Sequence, residues 1–203
     1  RDLVRSRGLG DVYKRQKVYL VEVRRSTRGP QVMISRTHPG LVKRLFELEV
    51  PEIYDGTVEV RSIAREAGNR TKMAVWSADE NVDPIGACVG PRGQRVAAIV
   101  EELHGEKIDI INWSDNPAIL IENALSPAKV IAVMADPDEK TALVVVPDYQ
   151  LSLAIGKEGQ NARLAARLTG FKIDIKSETQ AKEAGDFYDY DDDETAEDAA
   201  EAS

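Results

Sequence analysis

Two stretches of this chain place a pair of glycines three apart at the mouth of an amphipathic run. Gly90-Pro91-Arg92-Gly93 precedes QRVAAIV, and Gly156-Lys157-Glu158-Gly159 precedes QNARLAA. These are the only two GxxG stretches in the sequence. One alone would carry little weight, because at ~7% glycine chance supplies roughly one per 200-residue chain. Glycine at such a corner supplies φ > 0 for a tight helix–turn–helix. It also removes a Cβ, so that a polyanion backbone can lie against the turn, where the amides opening the next helix point at phosphate. Arg92 and Lys157 put a cation inside each turn. Gln94, Arg95, Gln160, Asn161 and Arg163 open the helices that follow. The chemistry these residues offer is phosphate contact.

Other chemistries fit poorly. A Walker loop needs GxxxxGK[ST], and both turns continue with Gln. A dinucleotide fingerprint needs GxGxxG after a strand with an acid about twenty residues on, a spacing absent here. No Ser/His/Asp or Cys/His set stands out, and there is no CxxC or HExxH. Cys88 and His104 read as packing residues. The sequence predicts a non-enzyme with no cofactor and no metal.

The elements that must hold the turns come in duplicate. At an offset of 66 the two glycine turns align, as do Gln94 with Gln160 and Val96, Ile99 and Val100 with Ala162, Ala165 and Ala166. After a one-residue slip HGEKIDI (104–110) meets TGFKIDI (169–175), with KIDI identical. Short β-branched runs precede each turn: TVEVRSIA (57–64) and KMAVW (72–76) in one copy, KVIAVM (129–134) and ALVVV (142–146) in the other. Before them HPGLVKRLFELEV and NPAILIENAL are helical by period, each with an early proline. Each unit reads helix, strand, strand, short helix, GxxG, helix, strand, an α+β module over 37–114 and again over 115–177. Only SDN (114–116) separates them, so the pair is expected to pack as one rigid body. Residues 17–36 read as a hairpin around TRGP, the last strands of a barrel.

Charge is unevenly spread. The net charge is −8, but residues 177–203 hold eleven acids against one Lys, leaving 26 basic and 24 acidic groups in residues 1–176. The segment 178–203 is therefore predicted to be a disordered acidic tail. Residues 1–16 show no sustained apolar period and read as a leader unrelated to the rest of the chain. No apolar run approaches the ~18–20 residues that cross a bilayer, and the lone cysteine fits a cytoplasmic chain without a disulfide. Arg61, Arg65, Arg70 and Lys72 on the first strand pair, and Arg24, Arg25, Arg28 and Arg36 on the hairpin, extend the two turns into a nucleic-acid track. Aromatics are only 5%, too few for a base-stacking platform, and Trp76, Trp113 and Phe171 read as core or inter-module packing residues.

The order helix–strand–strand–helix–GxxG–helix–strand resembles the type II KH module, whose GxxG clamps about four single-stranded nucleotides. Two such modules after the end of an OB-type barrel are similar to the bacterial NusA family of transcription termination and antitermination factors. SRTHPGLVKRLFELEVPEIYDG, REAGNRTKMAV, DPIGACVGPRGQRV, GEKIDIINW and VPDYQLSLAIGKEGQNARLAARLTGFKIDIKSE carry the resemblance, from about Lys17 to Glu183. It implies single-stranded RNA, the nascent transcript, as ligand. Gly90, Pro91, Arg92 and Gly93 would form one clamp, and Gly156, Lys157, Glu158 and Gly159 the other. It implies pausing, termination and antitermination as the process, bacterial RNA polymerase and other antitermination factors as partners, and a monomer. The family's polymerase-binding domain and most of its OB barrel have no match in residues 1–16, so RNA binding is expected of these residues and pausing activity is not. A KH-type protein of ribosome assembly or RNA decay is the alternative, although no GTPase or nuclease motif accompanies these modules. A protein-interaction scaffold with purely structural turns is a third reading.

Overall fold

The computed structural model describes residues 16–186. The leader up to residue 15 and the acidic stretch from 187 on lie outside the described residues. The chain divides into two compact units, one ending at Ser114 and the other beginning at Asp115.

The first unit opens with a two-stranded antiparallel hairpin, β1 (Tyr19–Ser26) and β2 (Gly29–Ser35). It carries almost no buried residue; Leu20, Val23, Val32, Met33 and Ile34 are all exposed. It is tied down at its base, where the Tyr19 ring stacks on His38 with centroids 4.5 Å apart. The module proper runs α1 (Pro39–Glu49), α2 (Pro51–Tyr54), β3 (Val58–Glu66), β4 (Arg70–Ser77), α3 (Pro84–Val89), α4 (Gln94–Glu102) and β5 (Lys107–Asn112). Strands β3 and β4 pair antiparallel and β4 and β5 pair parallel, with Lys72 opposite Asp109.

The second unit repeats the plan with α5 (Pro117–Ala124), β6 (Ala132–Asp136), β7 (Thr141–Val146), α6 (Leu151–Ile155), α7 (Gln160–Thr169) and β8 (Lys172–Ser177). Its sheet has the same order and the same antiparallel-then-parallel pairing. Both units are thus the predicted α+β arrangement.

Local chemistry sets the helix starts. His38, Asp83 and Asn116 each accept a hydrogen bond from the backbone N–H two residues on, and each is followed by a proline at the first helical position. The cap satisfies an orphan donor, and proline removes another and pre-sets φ. Leu41, Val42, Leu45 and Phe46 then fall on one side of α1 and are buried with Met73, Val75, Ile99 and Leu103. Each such side chain contributes roughly 1.5–3 kcal/mol of burial. In the second unit α5 packs against α7, and Leu120, Ile121, Leu164 and Leu168 are buried.

Three expectations change. The first strand of the second unit begins at Ala132 rather than 129: Lys129 N donates to the Gln150 side chain at 3.4 Å instead of to a neighbouring strand, and the first bond to the next strand is Ile131 N to Val145 O. The acidic tail begins later than 178: α8 (Glu178–Ala184) follows β8 directly. A reciprocal capping box between Ser177 and Gln180, a buried Ala181 and a Lys182–Glu178 pair make a helix of a segment that net charge alone marks as unstructured. Trp76 lies at the surface at 36% exposure, with the Arg61 guanidinium 4.6 Å from its ring centroid, instead of in a core.

Candidate nucleic-acid interface

The two GxxG turns have different sequences and one backbone. Gly90 has φ 72°, ψ 175° and Gly156 has φ 76°, ψ 171°. At the third position Arg92 has φ 54°, ψ 25° and Glu158 has φ 53°, ψ 27°. Gly93 and Gly159 follow at φ 74°, ψ 13° and φ 73°, ψ 16°. Each turn is closed by the fourth-residue N–H donating to the first-residue carbonyl, at 3.0 Å for Gly93 and 3.1 Å for Gly159.

The four glycines do two different jobs. Gly90 and Gly156 combine positive φ with ψ near 175°, a region only glycine occupies readily. A Cβ on Gly90 would fall 2.6 Å from Arg95 Cγ, and one on Gly156 would fall 2.8 Å from the Asn161 backbone N. Their absence of a side chain is demanded by the protein itself. Gly93 and Gly159 sit in the left-handed region that Arg92 and Glu158 occupy beside them with full side chains. A Cβ on Gly93 meets nothing within 4 Å, and one on Gly159 only Arg163 Nη1 at 4.0 Å. The space above the second glycine is open.

That open space lies at a helix start. Gly93 and Gly159 are the N-cap residues of α4 and α7, and neither helix has a side-chain cap. An uncapped N-terminus leaves amide donors and the positive end of the helix dipole for an anion. Pro91, Arg92 and Gln94 are exposed around the first turn; Lys157, Glu158 and Arg163 around the second, with Gln160 half-buried. The cations occupy different slots. Arg92 stands where the second turn has Glu158, and Lys157 where the first has Pro91. Arg163 adds a guanidinium that donates from Nη1 to Glu158 O at 3.1 Å.

Two of the predicted contact residues are turned inward. Asn161 is 2% exposed, and its Nδ2 donates to Leu125 O and Ala154 O, both at 3.0 Å. Arg95 Nη1 donates to Glu52 Oε2 at 2.9 Å and to Ala87 O at 2.6 Å. Sequence periodicity could not find these partners, which come from other helices.

The basic track read on the first strand pair is largely internal. Arg65 is buried and forked onto Glu106 at 2.8 and 2.9 Å, and Glu106 also accepts from Thr71 Oγ1 at 2.6 Å and Gly68 N at 2.8 Å. Burial pushes the Glu106 carboxyl up, but the bonds from Arg65, Thr71 and Gly68 outweigh it and hold it below the usual carboxylate range. Arg70 donates to Asp109 at 2.6 and 3.1 Å. Lys72 is fully buried 3.6 Å from Asp109, and burial pulls its pKa down to about 8 against that carboxylate's opposing pull. Arg36, just past the hairpin, is likewise engaged within the protein, 2.8 Å from Glu102 Oε1. Arg61 lies over Trp76 and pairs with Glu59 at 3.2 Å. Cys88 is buried, and burial pushes its thiol up to about 12, as befits a packing residue.

Residues 36–113 match the family described as NusA-like first KH domain, and residues 117–183 the family described as NusA-like second KH domain. The chain is 66% identical over 173 residues to the transcription termination/antitermination protein NusA of Bacillus subtilis (strain 168), covering 85% of this chain and 47% of that protein. It is 59% identical over 165 residues to the protein of that name from Mycobacterium tuberculosis (strain H37Rv), covering 81% of this chain and 48% of the relative. The Thermus thermophilus protein is 53% identical over 160 residues, covering 79% and 41%. The chain therefore spans about half the length of these relatives or less. Among solved structures, the one described as "Crystal structure of APE1850" shares the fold at a TM-score of 0.50 and 22% identity, over 66% of this chain and 95% of that one. The chain belongs to the NusA family and carries its first and second KH domains.

Proposed function

We propose that this chain binds single-stranded RNA through its two GxxG turns. It does so as part of a transcription elongation factor that modulates pausing, termination and antitermination by bacterial RNA polymerase in the cytoplasm. The observation that carries the reading is the shared turn: two different tetrapeptides hold one backbone whose second glycine leaves open space at an uncapped helix start. A phosphodiester fits there. Its oxygens accept from the helix amides, and the missing Cβ lets the sugar–phosphate chain lie close. Arg92, Lys157 and Arg163 add charge at the rim. Bacterial RNA polymerase and other antitermination factors are the partners this reading implies.

The test is a salt titration of RNA affinity. With phosphate contacts, log K falls with log[salt] at about −0.7 per neutralised phosphate. Arg92→Ala and Lys157→Ala each flatten that slope by about the same amount. A flat line for the wild type contradicts the reading.

A further inference from the structure

Arg95 and Asn161 occupy the same place in the two units, the second residue of the helix that follows each turn. Each side chain runs back beneath its own turn. The aliphatic carbons of Arg95 fill the space where Gly90 would carry a Cβ, as the Asn161 Cβ does at Gly156. Each donates to a carbonyl of the short helix ahead of the turn, Ala87 O at 2.6 Å and Ala154 O at 3.0 Å. Each also reaches the first helical region of its unit: Arg95 the Glu52 carboxylate on α2, Asn161 the Leu125 carbonyl that ends α5.

We propose that Arg95 and Asn161 are positioning residues that brace the two clamps from beneath and do not touch RNA. This rests on the RNA-clamp reading. The brace fixes the angle between the short helix and the helix whose N-terminus faces the ligand, and so fixes where the open face of the second glycine and the helix amides beyond Gln94 and Gln160 point. The two braces differ in kind. In the second unit the brace is a neutral amide buried to 2% exposure. In the first it is an ion pair whose side chains keep 25% and 33% exposure. The set of the first clamp therefore depends on a carboxylate, Glu52, that stands on another helix.

Glu52 gives a test whose sign separates the roles. If Arg95 contacts phosphate, removing the nearby carboxylate releases a guanidinium: Glu52→Ala tightens RNA binding and steepens the salt dependence. If Arg95 is a brace, Glu52→Ala weakens binding, on the order of tenfold for the loss of one charge-assisted tether, with the salt slope unchanged. Arg95→Met follows the same course, weaker with an unchanged slope. Asn161→Leu, of similar volume, does the same for the second clamp. Far-UV circular dichroism and thermal melts confirm folding, and affinity is measured well below the melt, where a purely stabilising residue would leave it untouched.

Amide hydrogen exchange in the RNA-free chain supplies an independent readout. Protection at Gly93, whose N–H closes the first turn, falls in Glu52→Ala, which lies on another helix. Unchanged affinity, tighter binding, or a slope flattened by about 0.7 in Arg95→Met overturns the proposal. If the wild type binds no RNA, the clamp reading fails separately, and unchanged protection at Gly93 then overturns the brace as well.

Discussion

Arg36 and Glu102 join the hairpin to the helix that carries the first clamp. Arg36 Nη1 lies 2.8 Å from Glu102 Oε1, and Nη2 lies 2.7 Å from Glu102 O, the carbonyl at the C-terminal end of α4. The same guanidinium holds Lys17 O at 2.6 Å, and Lys17 N donates to Glu102 Oε1 at 3.1 Å. A cation at a helix C-terminus also meets the negative end of the helix dipole. Arg36→Met should lower stability by about 1–3 kcal/mol, measured by urea unfolding. Burial raises the Glu102 carboxyl pKa, but the bonds from Arg36 and Lys17 lower it further, so the net shift is downward. A depressed pKa stabilises above the ordinary carboxylate value and loses that stabilisation as pH falls through the folded one. The cost of Arg36→Met should therefore shrink in acid.

Glu106 and Arg65 make a sharper case, because both are buried. Glu106→Leu strands a guanidinium and should cost about 3–5 kcal/mol. Pairing it with Arg65→Met removes the uncompensated charge and should recover much of that loss. Urea unfolding of both single variants and the double gives the coupling directly. Additive losses would contradict it.

Lys72 predicts a rise in stability with alkali. Its folded pKa is about 8 against an ordinary 10.5, so the folded state binds the proton more weakly than the unfolded chain. Unfolding then takes up a proton between those values, and stability increases as pH climbs from about 8 to about 10.5. Lys72→Met should abolish that rise and leave the chain at least as stable at pH 7. A wild-type profile flat across the window would contradict the assignment.

Much of the fold was legible because it is written locally. The 66-residue repeat, the two helix starts with an early proline at Pro39 and Pro117 and the paired GxxG turns depend on neighbours in sequence, and the structure places them where period and turn chemistry predict. What escaped was long-range. Arg65, Arg70 and Lys72 read as a basic surface because their partners Glu106 and Asp109 come from β5 and its approach, and only the registers of β3 with β4 and of β4 with β5 bring them together. The internal partners of Arg95 and Asn161 escaped for the same reason: Glu52 and Leu125 are 43 and 36 residues away. Helix α8 was hidden by composition, since a capping box is a matter of two residues within an acidic run.

The glycines of one turn should respond unequally. Gly90→Ala meets Arg95 Cγ at 2.6 Å from a backbone region closed to alanine, and should destabilise the first unit by about 1–3 kcal/mol or more. Gly93→Asp meets nothing within 4 Å and keeps a conformation that Asp tolerates, so it should cost only about 1 kcal/mol. Thermal melts of the two variants rank them.

The most direct measurement is the RNA affinity of the Gly93→Asp/Gly159→Asp double variant, with melts confirming that both units remain folded. Each substitution puts a carboxylate into the open space above an uncapped helix start, where an RNA phosphate would lie. Binding to single-stranded RNA should fall by at least tenfold, the loss of a charge-assisted contact at each clamp, and the remaining affinity should show a flatter salt dependence. Wild-type affinity and slope in a well-folded double variant would contradict the clamp reading and leave both turns as corners of the fold.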